Sequence, residues 1–170
     1  DENLAQTMGS LSFHCQGHKK YENVRIGING RLDTLQADIL HSNFDVFTNE
    51  IELRQKVATK YNDSLSGFSN GLVVPHVPPE YQSVWAQYSI LSKDEKRRSE
   101  LQNRLKEAGI PTAIYYPKPL HLQTAFQKLG YKAGDFPVSE ECSGRIFSLP
   151  MHPYLADSDQ ERVIEALLSA

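Results

Sequence analysis

The chain has 170 residues, enough for about one domain or one and a fraction at ~150 residues per domain. Hydrophobic residues are 39% and charged residues 23% of the total, which excludes a disordered or collagen-like chain. Eighteen Lys and Arg against twenty-one Asp and Glu leave a net charge of -3, which argues against a nucleic-acid binder that works by neutralising phosphates. No apolar run reaches the ~20 residues that span a bilayer, and no signal peptide opens the sequence. Cys15 and Cys142 are too few for a disulfide framework and suit a reducing compartment. A soluble, cytoplasmic context without membrane partners is the expectation.

Asp1 to Asn3 reads as an acidic helix start, with Leu4, Met8 and Leu11 following at helical spacing. A chain that opens directly on an N-cap predicts a segment before Asp1. Residues 14–29 are polar, carry Gly17 and Gly27, and read as a loop. Leu32, Leu35, Ile39, Val46 and Phe47 predict a second helix from Arg31 to Phe47. Asn49 to Glu52 has the form of a capping box for a third, ended by Gly67, Asn70 and Gly71. The pattern then turns to strands at 72–77, 84–91, 112–116 and 145–149. Between them lie a helix after a second capping box at Ser92–Glu95, a short one through Leu122 and Phe126, and a last one capped by Ser158–Glu161. The expected fold class is α+β: a helical segment over 1–70, then a small α/β-layered domain over 71–170.

Isolated motifs yield no active site. His14, Cys15 and His18 could offer three zinc ligands, but no CxxC or HxxxH completes a tetrahedral set, so a polar loop is the plainer reading and no metal is expected. Neither cysteine has a base placed beside it by the sequence. Asn62-Asp63-Ser64 fits a glycosylation pattern incidentally. The basic run Lys93–Arg98, broken by Asp94 and Glu95, reads as a solvated helix face.

Two segments are denser. Ile28 to Ala37 gathers Asn29, Arg31 and Asp33 at a helix N-terminus, whose free amides and dipole suit phosphate or carboxylate. Equally, Asp33 and Thr34 could simply cap that first turn. Tyr115 to Gln123 ends a strand in a rigid, aromatic, polar-tipped turn, with Tyr116, Lys118 and His121 between prolines 117 and 119. Packing alone is the competing account there.

At these segments the sequence resembles the DegT/DnrJ/StrS family of sugar-nucleotide aminotransferases, pyridoxal-phosphate enzymes of fold type I. The similarity runs through Asp1–Ala5, Gly27–Ala37, Arg54–Ala58, Gln87–Tyr88, Gly109–Thr112, Tyr116–Pro117, Pro119–His121 and Ser148–Tyr154. The subtype it resembles aminates a UDP-linked 3-keto amino-sugar uronic acid with glutamate as donor. The resemblance covers the C-terminal part of that family. It implies a preceding large domain that carries the cofactor-binding lysine, the aspartate beside the ring nitrogen and most of the phosphate cradle. None of the chain's lysines lies in a segment matching the lysine motif, so the resemblance implies no catalytic residue here, no pyridoxal phosphate held by this chain alone, and inactivity in isolation.

The resemblance assigns Asn29 to the cofactor phosphate, in the neighbouring subunit of a homodimer. It sets Arg31 against the substrate, and Tyr116 and His121 at the sugar end of the pocket. Tyr115 stands where the subtype has histidine, Cys15 where the family has glycine, and Asp38 on a helix face otherwise apolar. Besides a partial aminotransferase, a non-catalytic dimerisation or protein-binding module and a vestigial nucleotide-sugar binder are the alternatives.

Overall fold

The structure is a computed structural model that describes residues 1–15, 17, 22–67 and 71–169. Two compact units divide it, Asp1–Phe47 and Thr48–Ala170.

In the first unit, α1 spans Glu2–Ser12, and the Asp1 carboxylate accepts the Leu4 amide at 3.3 Å as its N-cap. The chain then folds back on the helix end. The amide of His14 donates to Ile28 O at 3.0 Å, Ile28 donates to Leu11 O at 3.0 Å, and Gly30 donates to Ser12 O at 2.8 Å. Gly27 is required by this close approach, because a Cβ there would lie 2.6 Å from Cys15 N and 2.7 Å from Leu11 O. Cys15 is fully buried beneath the turn.

The expected second and third helices are one element, α2, running Thr34–Leu65. No glycine or proline interrupts that stretch, so the Asn49–Glu52 box has no free helix end to cap. Asp33 is the residue that starts it, its Oδ1 accepting the amides of Leu35 at 2.9 Å and Gln36 at 3.3 Å. Asp38 is exposed, as are Leu35, Ile39 and Phe44.

The core lies in the second unit. Val57, Ala58, Tyr61 and Leu65 form the buried stripe of α2's C-terminal part. Strands β1 (Tyr88–Leu91) and β2 (Ile146–Leu149) pair antiparallel, Tyr88 opposite Leu149 and Leu91 opposite Ile146. The strands expected at 72–77 and 112–116 shrink to single bridges, Val73 to Leu91 and Ala113 to Ser148. Pro75 lies inside the first stretch and removes a donor there, while Pro78 and Pro79 end it and Pro111 and Pro117 bound the second, so neither ladder can extend far. Helices α3 (Glu95–Glu107), α4 (Pro137–Arg145) and α5 (Asp157–Leu168) complete the unit. Two 3₁₀ turns, Leu120–Leu122 and Thr124–Leu129, stand where a short helix was expected.

Aromatic and aliphatic side chains of β1, β2 and three helices fill the centre: Tyr61, Tyr88, Phe147, Leu101, Leu105 and Leu167 are fully buried. The rings of Tyr61 and Tyr88 lie 4.8 Å apart between centroids, tilted by 35°, and Trp85 lies 5.6 Å from Tyr88. Their polar tips are all satisfied: Tyr61 Oη donates to Pro150 O at 3.0 Å, Tyr88 Oη to Asn62 Oδ1 at 2.6 Å and Trp85 Nε1 to Gln55 Oε1 at 2.9 Å. Asn62 thus has a structural partner. Lys60 ties α2 to α5 through Asp157 at 3.2 Å and Glu161 at 3.0 Å.

The first helix end after β1 departs from expectation in detail. Asp94, not Ser92, is the N-cap of α3 and accepts the Arg97 amide at 2.7 Å. Within the basic run, Arg98 is 8% exposed rather than solvated. Its guanidinium donates to Ser143 O at 2.8 Å and meets Glu95 at 3.3 Å. Likewise α5 starts at Asp157 behind Ala156, without a side-chain cap from Ser158.

Candidate functional site

Each unit carries one cluster of the residues singled out from the sequence. In the first, the turn that follows Gly27 brings Asn29 and Arg31 together: Arg31 Nε donates to Asn29 Oδ1 at 3.0 Å. The guanidinium also stands over the Phe13 ring, 5.4 Å from its centroid, a cation–π contact that holds the head in place without consuming its terminal N–H groups. Both side chains are exposed. Their Oδ1–Nε bond leaves the Asn29 amide nitrogen and the outer edge of the guanidinium as donors, an arrangement suited to a planar or tetrahedral anion. The neighbouring helix N-terminus is not the anion site that the sequence allowed. Asp33 takes the Leu35 and Gln36 amides, and its charge would repel a phosphate there.

In the second unit, the Tyr115–Gln123 turn and α4 face each other across a cleft of about 360 Å³. The turn contributes Tyr115, Tyr116, Lys118 and Gln123, and α4 contributes Ser139, Cys142 and Ser143. Tyr116 is 70% exposed, its ring 5.7 Å from that of Tyr115 in an edge-on arrangement. Gln123 Nε2 donates to Lys118 O at 3.3 Å and closes the turn. A cationic head, hydroxyls and an amide around aromatic faces make a surface for a polar, ring-bearing, anionic molecule.

His121 is not among the residues lining that cleft. Its side chain is 8% exposed, packed on the Phe136 ring at 4.8 Å, with Nε2 2.9 Å from Glu140 Oε1. Glu140 also accepts the Gly134 amide at 2.9 Å and 3.0 Å and the Phe136 amide at 3.4 Å. Those amide bonds, led by Gly134, and the His121 bond hold its carboxyl below the ordinary glutamate range, against an opposing effect of partial burial. Sequence reading missed Glu140. The only signal was an acidic residue three positions after a helix-starting Pro137, a pattern that could reach back to the helix-start amides.

Of the two cysteines, Cys15 is buried and Cys142 half-buried in the cleft wall. His18 and Asn70 lie outside the described residues. Among the described residues, no group of three or more His, Cys, Asp or Glu side chains is placed to hold a metal ion, and no helix is long and apolar enough to cross a membrane.

The chain is 39% identical over 169 residues to the UDP-2-acetamido-2-deoxy-3-oxo-D-glucuronate aminotransferase of Pseudomonas aeruginosa, covering 99% of this chain and 44% of that protein. It superposes with a TM-score of 0.86 and 45% identity on the crystal structure of a DegT DnrJ EryC1 StrS aminotransferase from Brucella abortus, covering 99% of this chain and 44% of that one. DesV of S. venezuelae, solved in complex with a ketimine intermediate, matches with a TM-score of 0.88 and 30% identity over the same shares. The chain therefore spans a little under half the length of these relatives. Residues 1–168 match one family throughout, and on that match this chain belongs to the DegT/DnrJ/EryC1/StrS aminotransferase family, whose amino-transfer chemistry depends on pyridoxal phosphate.

Proposed function

We propose that the chain is the C-terminal part of an enzyme that transfers an amino group to the keto carbon of a UDP-linked 2-acetamido uronic acid, with glutamate as amino donor. The observation that carries this is the 39% identity to the P. aeruginosa uronate aminotransferase over 99% of the chain, together with an exposed guanidinium oriented by Asn29 and Phe13. In the neighbouring subunit of a homodimer, Arg31 takes the sugar carboxylate in a planar two-point contact that lysine cannot copy. There the Asn29 amide would donate to the cofactor phosphate. The cleft between Tyr116 and α4 receives the sugar nucleotide, with Tyr116 against a ring and Lys118 near the diphosphate.

The described residues fit the cofactor at its anionic end only. Pyridoxal phosphate supplies the electron sink for amino transfer once a lysine holds it covalently and an acid faces its ring nitrogen. Lys56, Lys93, Lys96, Lys106, Lys118, Lys128 and Lys132 are exposed. Lys60 is paired with two carboxylates, and its hydrogen bond to Glu161, foremost, holds its amine protonated. Neither environment desolvates an amine into a nucleophile. Among the described residues no lysine is placed as a covalent anchor, and that role is assigned to the part of the relatives that this chain does not span, with no transaminase activity assigned to the isolated chain. The exposed Leu35, Ile39 and Phe44 of α2 are assigned to contact with that part or with a second subunit of a homodimer.

Calorimetry with UDP-glucuronate and UDP-glucose tests the reading. Wild type should prefer the uronate, and Arg31→Ala should weaken uronate binding about tenfold or more and abolish the preference. Arg31→Lys should not restore it. A wild type that binds neither sugar nucleotide, or an Arg31→Ala protein that keeps the preference, contradicts the reading.

A further inference from the structure

We propose that Glu140 is the positioning residue of the cleft: it holds the Tyr115–Gln123 turn against α4 so that Tyr116 and Lys118 meet an anionic sugar nucleotide. This rests on the reading that the cleft takes that ligand. Helix α4 is a fixed wall. Arg98 donates from α3 to Ser143 O at 2.8 Å, Arg145 Nε donates to Ser92 O at 2.7 Å, and the Ser92 amide donates to Arg145 O at 3.0 Å. Glu140 lies in the first turns of that wall.

Its carboxylate gathers three donors from two different stretches of chain. Gly134 and Phe136 come from the segment that leads into α4, and His121 comes from the 3₁₀ turn that directly follows Lys118 and Pro119. Gly134 adopts φ +94°, which presents its amide to the carboxylate and which a side chain would oppose. The His121 ring is wedged against Phe136, which in turn packs on Tyr131 at 5.1 Å. A single carboxylate thus joins both walls of the cleft by charge-assisted bonds. Glutamine in its place offers one neutral acceptor oxygen to donors that shared two charged ones, so the charge-assisted tie between the turn and α4 is lost. Tyr116 and Lys118 lie five and three residues before His121, so any drift of that ring is carried to them.

The experiment uses the full chain and UDP-glucuronate as the probe. Calorimetric affinity, thermal midpoint and amide hydrogen exchange at Gly134 and Phe136 are measured for wild type, Glu140→Gln and His121→Gln. We expect both variants to fold, to bind about tenfold more weakly, and Glu140→Gln to exchange both amides faster. A residue that merely stabilised the fold would lower the midpoint and leave the affinity of the folded protein unchanged, and that result overturns the proposal. If Glu140→Gln does not fold, the affinity of His121→Gln decides in the same way. Wild type that takes up no UDP-glucuronate removes the sugar-nucleotide reading and this role together. Binding by wild type with unchanged variants removes the positioning role alone.

Discussion

Asn29 and Arg31 owe their geometry to Gly27, two residues upstream. The atoms that a Cβ at Gly27 would meet, Cys15 N and Leu11 O, belong to the main chain and cannot swing aside. Gly27→Ala should cost about 1–3 kcal/mol by overpacking and weaken UDP-glucuronate binding along with Arg31→Ala; urea denaturation and calorimetry on the same protein check both. Glu140 gives a pH signature. Its carboxyl is held below the ordinary range by the Gly134 amide first, with His121 contributing. Its contribution is therefore complete above the unfolded glutamate value of about 4.3 and is lost as pH falls through the lower folded value. Urea midpoints between pH 7 and pH 3 should fall more steeply for wild type than for Glu140→Gln. Equal slopes would show that the amide bonds do not persist in solution. The buried phenols of Tyr61 and Tyr88 work in the opposite sense, both raised chiefly by burial. Their stabilisation is intact below the unfolded tyrosine value of about 10 and declines as pH rises from there toward the folded values. At this scale the sequence exposed Asn29 and Arg31 because their spacing is local. The His121–Glu140 bond joins positions 19 apart, and no local pattern announces it.

Among the elements, α2 separates a local signal from its context. Asn49 and Glu52 have the chemistry of a helix start, but a cap forms only where the backbone leaves the helix, and nothing between Thr34 and Leu65 makes it leave. Asn49→Pro should therefore remove a hydrogen bond from a continuous helix and cost about 3 kcal/mol, read as lost helical circular dichroism and a lower urea midpoint. Two separate helices would tolerate a proline at that start. Strand periodicity located β1 and β2, which pair with each other, whereas 72–77 is interrupted by Pro75 and 112–116 is bounded by Pro111 and Pro117, and each forms a single bridge. The core pattern was legible for the same reason that α2's stripe was: burial recurs at helical spacing. Phe147, fully buried on β2, should cost about 3–5 kcal/mol when cut to alanine, measured by denaturant unfolding.

Across the whole molecule, the two units each hold one of the clusters proposed to meet the ligand, and the chain spans 44% of the P. aeruginosa relative. The family was legible from ordered segments spread from Asp1 to Tyr154, since a match of that length survives errors in any single element. The environments of the described lysines support the second half of the central proposal, that this chain brings the grip on substrate and phosphate while the covalent anchor lies in the portion of its relatives it does not span. Borohydride reduction of the chain with one equivalent of pyridoxal phosphate, followed by peptide mass spectrometry, tests it most directly. We expect sub-stoichiometric pyridoxyl adducts scattered over the exposed lysines and unaffected by glutamate. A single lysine labelled to one equivalent, and protected when glutamate is added first, would contradict the account.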